Sequence, residues 1–159
     1  MTIWYKKRRI YKYTLAHPCV IQLQLHPEQD IATPFISLNR QGQLALAANY
    51  AWDGASGPMP DLPSVMRGAL AHDALYQLMR DGHLDAQHYR QQADAVLRQL
   101  CLADGMNTLL AAWVYFCVRQ FGARYAQSDL RAISNSHTPN GIERNINTNE
   151  AYRNIPLSK

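Results

Sequence analysis

The sequence predicts an α+β fold in which N-terminal antiparallel strands, including a hairpin, precede a three-helix bundle and a polar C-terminal tail. Residues 1–52 combine β-branched and aromatic residues in partial alternation. Residues 59–126 carry helical periodicity broken by Asp-Gly pairs, and residues 127–159 are asparagine-rich with few aliphatic side chains. A chain of 159 residues is long enough to bury a core. We therefore expect one α+β domain over residues 1–126, followed by a tail.

The strand region divides at a proline and at one turn. The stretches RRIYKYTL and CVIQLQLH are typical of strands and are separated by His17-Pro18. The later stretch FISLNRQGQLALAANYAW has two apolar runs around Asn39-Arg40-Gln41-Gly42. Because Asn and Gly tolerate positive φ, this stretch predicts a hairpin.

Three helices are predicted after the proline-dense stretch PMPDLP, and the first two end at Asp-Gly pairs. Their expected bounds are, in chain order, Asp61 or Ser64 (as the cap) to Arg80, Asp85 to Leu102, and Asn107 to Tyr125. The third helix contains the longest apolar run. It is therefore expected as the central helix of the core, with a lipid-facing surface as the alternative.

Basic charge is concentrated at the N-terminus. The chain has 16 basic and 12 acidic residues, and its first thirteen residues hold five of the basic ones and no acid: Lys6, Lys7, Arg8, Arg9 and Lys12. The cluster is either the solvated face of an edge strand or a surface that meets phosphates of nucleic acid or anionic lipid. Because the rest of the chain is close to neutral, we expect no nucleic-acid partner beyond this cluster.

The cysteines and the apolar runs indicate the compartment. Cys19, Cys101 and Cys117 have unrelated spacings, which predicts no disulfide framework, and Cys101 and Cys117 are expected as core residues. No signal peptide is visible, and the longest apolar run, residues 109–118, is half the roughly 20 residues that a spanning helix needs. We expect a soluble protein made in a reducing cytoplasm.

Polar residues gather on one side of the first predicted helix. At 100° per residue, four of them lie on one arc of the helix, beside a separate apolar stripe. The residues of the polar arc are His72, Asp73, Tyr76 and Arg80. On the second helix Arg90 and Asp94 are i,i+4 neighbours and are expected to face the same space.

This set of side chains suits hydrolysis by an activated water. A neutral His72 imidazole removes the proton of the water, while Asp94 holds the other ring nitrogen. Asp73 points about a quarter-turn away and is therefore free to bind a metal. The turn WDGASG supplies backbone carbonyls, which a hard cation such as Ca²⁺ prefers.

The helical HDALY, preceded by a glycine-containing loop and followed by AD on the next helix, resembles the site of phospholipase A2, above all its short bacterial and viral-capsid forms. The resemblance implies His72 as general base, with Tyr76 and Asp94 as the supporting network. It implies Asp73 as a ligand of Ca²⁺ or another divalent metal. It further implies ligands from the carbonyls of three loop residues: Trp52, Gly54 and Ser56.

Over roughly residues 10–125 the chain also resembles an uncharacterised domain family common in tailed phages and prophages. The shared features are an Asp-Gly/x-Ala-Ser loop, a helical His-Asp and an Arg-x-x-x-Asp, carried here by Asp53, Ala55, Ser56, His72, Asp73, Arg90 and Asp94. This resemblance implies a phage association and no particular activity.

The loop departs from the phospholipase pattern and leaves alternatives open. Flanking cysteines and paired glycines are absent, and Asp53 and Ser56 bring potential side-chain ligands. This favours either a side-chain-rich metal site built from Asp53, Asp73 and Asp94 or an altered activity. Alternatively, His72 and Asp73 are a structural pair satisfied by supporting arginines, Arg80 or Arg90, and Asp53-Gly54 is only a turn.

Two functions of different classes follow. The first is a phage-encoded, metal-dependent ester hydrolase that acts on host phospholipid, made in the host cytoplasm and partnered by a membrane surface. The second is a structural or interaction protein of the phage particle that contacts other virion proteins and has no catalytic activity.

Overall fold

A computed structural model describes residues 5–7 (backbone only), 13–54 and 62–126. Within these ranges short strands precede three α-helices, which confirms the predicted α+β fold. The strands, in chain order, are β1 (Tyr5–Lys7), β2 (Tyr13–Leu15), β3 (Cys19–Gln22), β4 (Ile31–Ala32), β5 (Ile36–Leu38), β6 (Gln43–Leu46) and β7 (Ala51–Trp52). The helices are α1 (Pro63–Arg80), α2 (Ala86–Ala103) and α3 (Thr108–Phe121), followed by a single 3-10 turn at Ala123–Tyr125. The predicted tail, residues 127–159, lies outside the described residues.

The strands form two antiparallel sheets. One has the order β1-β2-β7 and the other the order β3-β6-β5-β4. Strand β1, which carries Lys6 and Lys7, is an edge strand among the described residues, as one interpretation of the basic cluster expected. The pairing of β2 with β7 places Tyr13 opposite Trp52, so the loop after β7 starts from a sheet.

The predicted hairpin is formed by β5 and β6. Its turn uses Asn39 differently from the expectation. Gly42 has a φ of +79°, whereas the side chain of Asn39 accepts hydrogen bonds from the backbone N–H groups of Gln41 and Gln43. Positive φ is therefore required of the glycine alone, and the asparagine stabilises the turn through its side chain.

The helix termini follow local signals, with two differences from the predictions. Asp85 and Asn107 cap α2 and α3 by accepting from the N–H two residues ahead, at 3.0 and 2.8 Å. Ser64 does not cap α1, because Leu62 is the N-cap and Pro63 the first helical residue; Asp61 lies outside the described residues. Helix α3 ends at Phe121 rather than near Tyr125.

The central helix of the core is α1, and the prediction that α3 would be central is wrong. Twelve of the eighteen residues of α1 are buried, whereas α3 buries only Ala111, Val114, Cys117 and Val118. Strand and helix residues join in one hydrophobic cluster, which includes Leu15, Leu44 and Leu75. Both strand pairing and helix packing thus stabilise the same core.

The cysteines are unpaired, and two of them are buried. Cys101 and Cys117 are buried and Cys19 is half-buried. Burial, helped by the negative charge of Asp104, raises the pKa of Cys101 to about 12, which leaves its thiol protonated and unreactive. Among the described residues, no helix is long and apolar enough to cross a membrane.

Candidate functional site

Helix α1 holds His72 and Tyr76 in the interior rather than on a solvent-facing arc. The two rings are one turn apart, their centroids separated by 4.1 Å, and both side chains are buried. Asp73 and Arg80, predicted on the same arc, are only half-buried. The polar arc therefore divides into a buried part and a part that reaches solvent.

A close approach between α1 and α2 brings His72 on α1 next to Asp94 on α2. A Cβ at Gly68 would lie 3.0 Å from the backbone oxygen of Leu97 and 3.2 Å from the sulfur of Cys101, so a larger residue would separate the helices. Gly68 precedes His72 by one helical turn, and Leu97 follows Asp94 by three residues. The packing of Gly68 against Leu97 thus sets the distance at which His72 meets Asp94.

Asp94 is the centre of a buried hydrogen-bond network. It is 0% exposed. Its Oδ1 accepts from His72 Nε2 at 2.8 Å and from the Tyr76 hydroxyl at 2.7 Å, while its Oδ2 accepts from Arg119 Nη1 at 2.9 Å. Both oxygens are therefore engaged by protein donors, which stabilises the ionised carboxylate.

The imidazole of His72 is oriented by this network. Because a carboxylate only accepts, Nε2 carries the proton in the neutral ring, and Nδ1 is then the basic nitrogen. Nδ1 lies 4.0 Å from Asp73 Oδ1, beyond hydrogen-bonding distance, and it makes no hydrogen bond with the described residues. The Asp73 side chain is 22% exposed, whereas that of His72 is 5% exposed.

The surroundings shift the pKa values of His72 and Asp94 in opposite directions. Burial alone lowers the pKa of His72, but the interactions with Asp73 and Asp94 and their negative charge outweigh it and raise that pKa above 6.5. At 4.0 Å the Asp73 contribution is better described as charge than as a hydrogen bond. Burial opposes ionisation of Asp94, yet donation from His72, Tyr76 and Arg119 lowers its pKa below 3.8.

Arg119 is a member of the network that sequence reasoning missed. The predicted supporting arginines make other contacts: Arg80 Nη1 donates to the backbone oxygen of Tyr125 at 3.0 Å, and Arg90 Nη2 donates to that of Arg119 at 3.2 Å. They hold the C-terminal end of α3 against α1 and α2, and α3 in turn supplies the guanidinium that contacts Asp94. A signal existed in the sequence, since Arg119 is the single charged residue in the apolar stretch Thr108–Phe121 that forms α3.

Only some of the metal ligands predicted in the loop after β7 are among the described residues. Trp52 is buried, Asp53 is exposed, and Gly54 is buried with a φ of +80°. Ser56 and Ala55 lie outside the described residues. The described residues contain no cluster of three or more His, Cys, Asp or Glu side chains arranged for a metal ion. Asp94 is not available as a ligand because its oxygens are already bonded.

Tyr50, just before β7, is a buried residue whose pKa responds to charges on α1 and on the loop after β7. Burial raises the pKa of this buried tyrosine, and the negative charges of Asp73, Asp81 and Asp53 raise it further, against the opposing positive charge of Arg80. All three carboxylates therefore lie within electrostatic reach of one hydroxyl. Asp73 is the carboxylate that the structure places beside His72 Nδ1, at 4.0 Å.

No family model, curated protein or solved structure matches the chain. The predicted resemblances to phospholipase A2 and to a phage domain family stay predictions. The geometry itself is that of an oriented base: an imidazole bonded through one nitrogen to a buried carboxylate, with its other nitrogen facing a second carboxylate. Such an arrangement can accept a proton from water and stabilise the imidazolium that forms.

Proposed function

We propose that the chain is a phage-encoded hydrolase of phospholipid esters in which His72 is the general base. The observation that carries the proposal is the 2.8 Å bond from His72 Nε2 to the buried Asp94 carboxylate, which leaves Nδ1 directed toward Asp73. A histidine oriented in this way suits proton transfer, whereas a histidine serving structure alone has no need of a basic nitrogen beside a second carboxylate.

The proton steps use side chains of the network. Water between His72 Nδ1 and Asp73 loses a proton to the imidazole as its oxygen attacks the ester carbonyl. The positive charge that develops on the ring is stabilised by ionised Asp94, which Tyr76 and Arg119 keep in place. The imidazolium then returns the proton to the leaving alcohol, which restores the neutral ring.

A divalent cation such as Ca²⁺ belongs to this proposal. Asp73 and Asp53 supply carboxylate oxygens, and the carbonyls of Trp52 and Gly54 are the backbone oxygens nearest in sequence. When bound, a hard cation would polarise the ester carbonyl and offset the charge of the oxyanion. Carboxylate and carbonyl oxygens are ligands that suit such an ion. Two carboxylates alone do not fill its coordination sphere, so further oxygens are required.

A second candidate is favoured by the closure of the network. His72 is 4% exposed and Asp94 0% exposed, so the same contacts would serve a non-catalytic protein of the phage particle by joining its three helices. In that case the His72–Asp94 network only stabilises the fold, and Asp73 binds no cation.

The test is release of fatty acid from phospholipid in mixed micelles in the presence of Ca²⁺. We expect turnover by the wild-type chain, loss of turnover by about a hundredfold or more in His72→Gln, and wild-type turnover in His88→Gln, which alters an exposed histidine of α2. Asp73→Asn is a second inactive variant that keeps the Asp94 network, so its loss of activity does not reflect misfolding.

A melting experiment separates the two candidates. Ca²⁺ should raise the melting temperature of the wild-type chain and not that of Asp73→Asn, because binding to the folded state stabilises it by mass action. Absence of both fatty-acid release and Ca²⁺ stabilisation would refute the hydrolase and leave the structural candidate, which then predicts stoichiometric presence in purified particles.

A further inference from the structure

Arg119 on α3 is held by helix α2 at two separate points. Arg90 Nη2 donates to the backbone oxygen of Arg119 at 3.2 Å, and Arg119 Nη1 donates back to Asp94 Oδ2 at 2.9 Å. Arg90 and Asp94 are i,i+4 neighbours, about one turn apart on α2. The three residues therefore form a closed loop of contacts between α2 and α3, which we call the arginine clamp.

The position of Arg90 has a local cause at the end of α3. Arg119 lies two residues before Phe121, where α3 ends, so its carbonyl is one of those that a helix C-terminus leaves without an intrahelical partner. The partial negative charge at a helix C-terminus also attracts a cation. A guanidinium satisfies both conditions, which explains why Arg90 donates to a carbonyl at this place.

The same guanidinium also opposes stability. Arg90 Nη1 is buried and has no hydrogen-bond partner among the described residues. A buried donor without an acceptor is costly, above all on a charged group. A neutral side chain of similar length would remove that cost, so stability alone does not explain an arginine here. Exceptions of this kind are expected at functional sites.

The arginine clamp fixes the orientation of the Asp94 carboxylate. Rotation about the Cβ–Cγ bond of an aspartate is only weakly restricted, so hydrogen bonds must set the plane of its two oxygens. His72 and Tyr76 both donate to Oδ1, whereas Arg119 donates to Oδ2. If Arg119 left Oδ2, the carboxylate would be free to turn, and the direction of the bond from His72 Nε2 would no longer be fixed.

We propose that Arg90 is a positioning residue for the His72 imidazole. It acts through two contacts in series, because it places the backbone of Arg119, whose guanidinium then orients Asp94. The chemical use of this positioning rests on the proposed function. The geometry does not, since the imidazole depends on the arginine clamp whether or not the chain is a hydrolase.

The geometry is measured by the proton resonance of His72 Nε2–H in the full chain with isotope-labelled histidine. A buried imidazole N–H bonded to a carboxylate exchanges slowly with water and gives a resolved low-field signal, whereas exposed histidines such as His83 and His88 exchange quickly. The signal should be present in the wild-type chain, absent in His72→Gln, and broadened or lost in Arg90→Met. Arg90→Lys keeps a cationic donor and should restore it.

Arg80→Met is the matched control, because it makes the same chemical change at an arginine that donates to the carbonyl of Tyr125, beyond the end of α3. It should keep the His72 signal. The urea midpoint should fall no further in Arg90→Met than in Arg80→Met, because Arg90→Met also removes the buried Nη1 that has no partner among the described residues.

Turnover gives a second measurement. In the fatty-acid assay Arg90→Met should lower kcat by about tenfold or more, since small displacements of a reacting group are costly in rate. KM should change little, because the substitution moves the imidazole and not the groups that hold the substrate. Arg98→Gln, at an exposed position of α2, should keep the wild-type kcat.

The outcomes separate positioning from catalysis. Loss of the His72 signal in Arg90→Met but not in Arg80→Met, with no turnover by the wild-type chain, supports positioning and removes the proposed function. Positioning is overturned if Arg90→Met keeps the signal, or if an active chain keeps its wild-type kcat without the signal. Equal loss of the signal in both variants, or its absence from the wild-type chain, overturns positioning as well.

Discussion

At the scale of single residues, Asp94 is the group whose loss should be most costly. Replacing it with Asn removes the charge that both His72 and Arg119 contact and replaces one of the two accepting oxygens with an NH2 group, which faces a donor and cannot accept from it. Breaking a buried ion pair by removing one partner costs about 3–5 kcal/mol. We therefore expect Asp94→Asn to lower the free energy of unfolding by about 3 kcal/mol, measured by urea denaturation.

A second arginine–carboxylate pair offers the matched control. Arg67 contacts Asp104 through Nη2 at 2.7 Å and Nε at 3.0 Å, and both side chains retain 15% and 19% exposure. Because water compensates part of the loss there, Asp104→Asn should cost about 1 kcal/mol. Equal costs for the two variants would contradict a special role for burial at Asp94.

Sequence reasoning reached the local members of the network and not the distant one. The helical spacing of His72 and Tyr76 and the Ala-Asp pair at Asp94 are short-range patterns, and the structure joins all three residues. Arg119 is 25 residues from Asp94, and its contact depends on how α3 packs, which no local spacing encodes. Gly68 was missed for the same reason, since its importance lies in the facing Leu97.

At the scale of elements, the end of α3 is fitted against α1 at Gly122. A Cβ there would contact the backbone oxygen of Val118 and lie 2.6 Å from the Tyr76 hydroxyl. Overpacking of this kind typically costs 1–3 kcal/mol. Gly122→Ala should therefore lower the free energy of unfolding by about 2 kcal/mol, measured by urea denaturation.

The loss should depend on the tyrosine hydroxyl. In a Tyr76→Phe background the added methyl group meets one atom fewer, so Gly122→Ala should cost less there than in wild type. Gln120→Ala, at an exposed position two residues earlier, is expected to change stability little. A cost that is the same in both backgrounds would show that the methyl group does not meet Tyr76.

The starts of α2 and α3 were predictable, whereas the end of α3 and its orientation were not. Caps such as Asp85 and Asn107 act on neighbouring N–H groups, so they are visible in the sequence. Both sides of α3 are apolar, and hydrophobicity alone does not decide whether Val114 or Trp113 faces the core. The core takes the side with the smaller side chains, and the larger ones stay outside.

At the scale of the whole molecule, the fold class followed from composition because strand and helix patterns occupy separate halves of the chain. The hairpin and the order of the helices depend on segments that are adjacent in sequence, so they could be predicted. The arrangement of two sheets could not, since β2 pairs with β7 across nearly forty residues. That long-range pairing starts the loop containing Asp53 from a sheet strand.

The raised pKa of His72 links stability and activity in opposite directions. Since the folded chain binds this proton more tightly than the unfolded chain, whose histidine titrates near 6.5, stability is greatest below about pH 6.5 and falls as pH rises through the raised pKa. Activity should rise over the same interval, because the base must be neutral to accept a proton. Asp94 contributes its stability above pH 3.8 and loses it as pH falls through its lowered pKa.

Urea denaturation from about pH 5 to about pH 9, with turnover measured alongside, tests this linkage. The wild-type chain should lose more stability across this range than His72→Gln, and His83→Gln, at an exposed position in the turn before α2, should follow wild type. In the wild-type chain, the fall in stability and the rise in turnover should be centred on the same pKa. If the stability difference between wild type and His72→Gln is flat with pH, His72 does not gain a proton on folding, and the interaction with Asp73 and Asp94 is weaker than the 2.8 Å contact indicates.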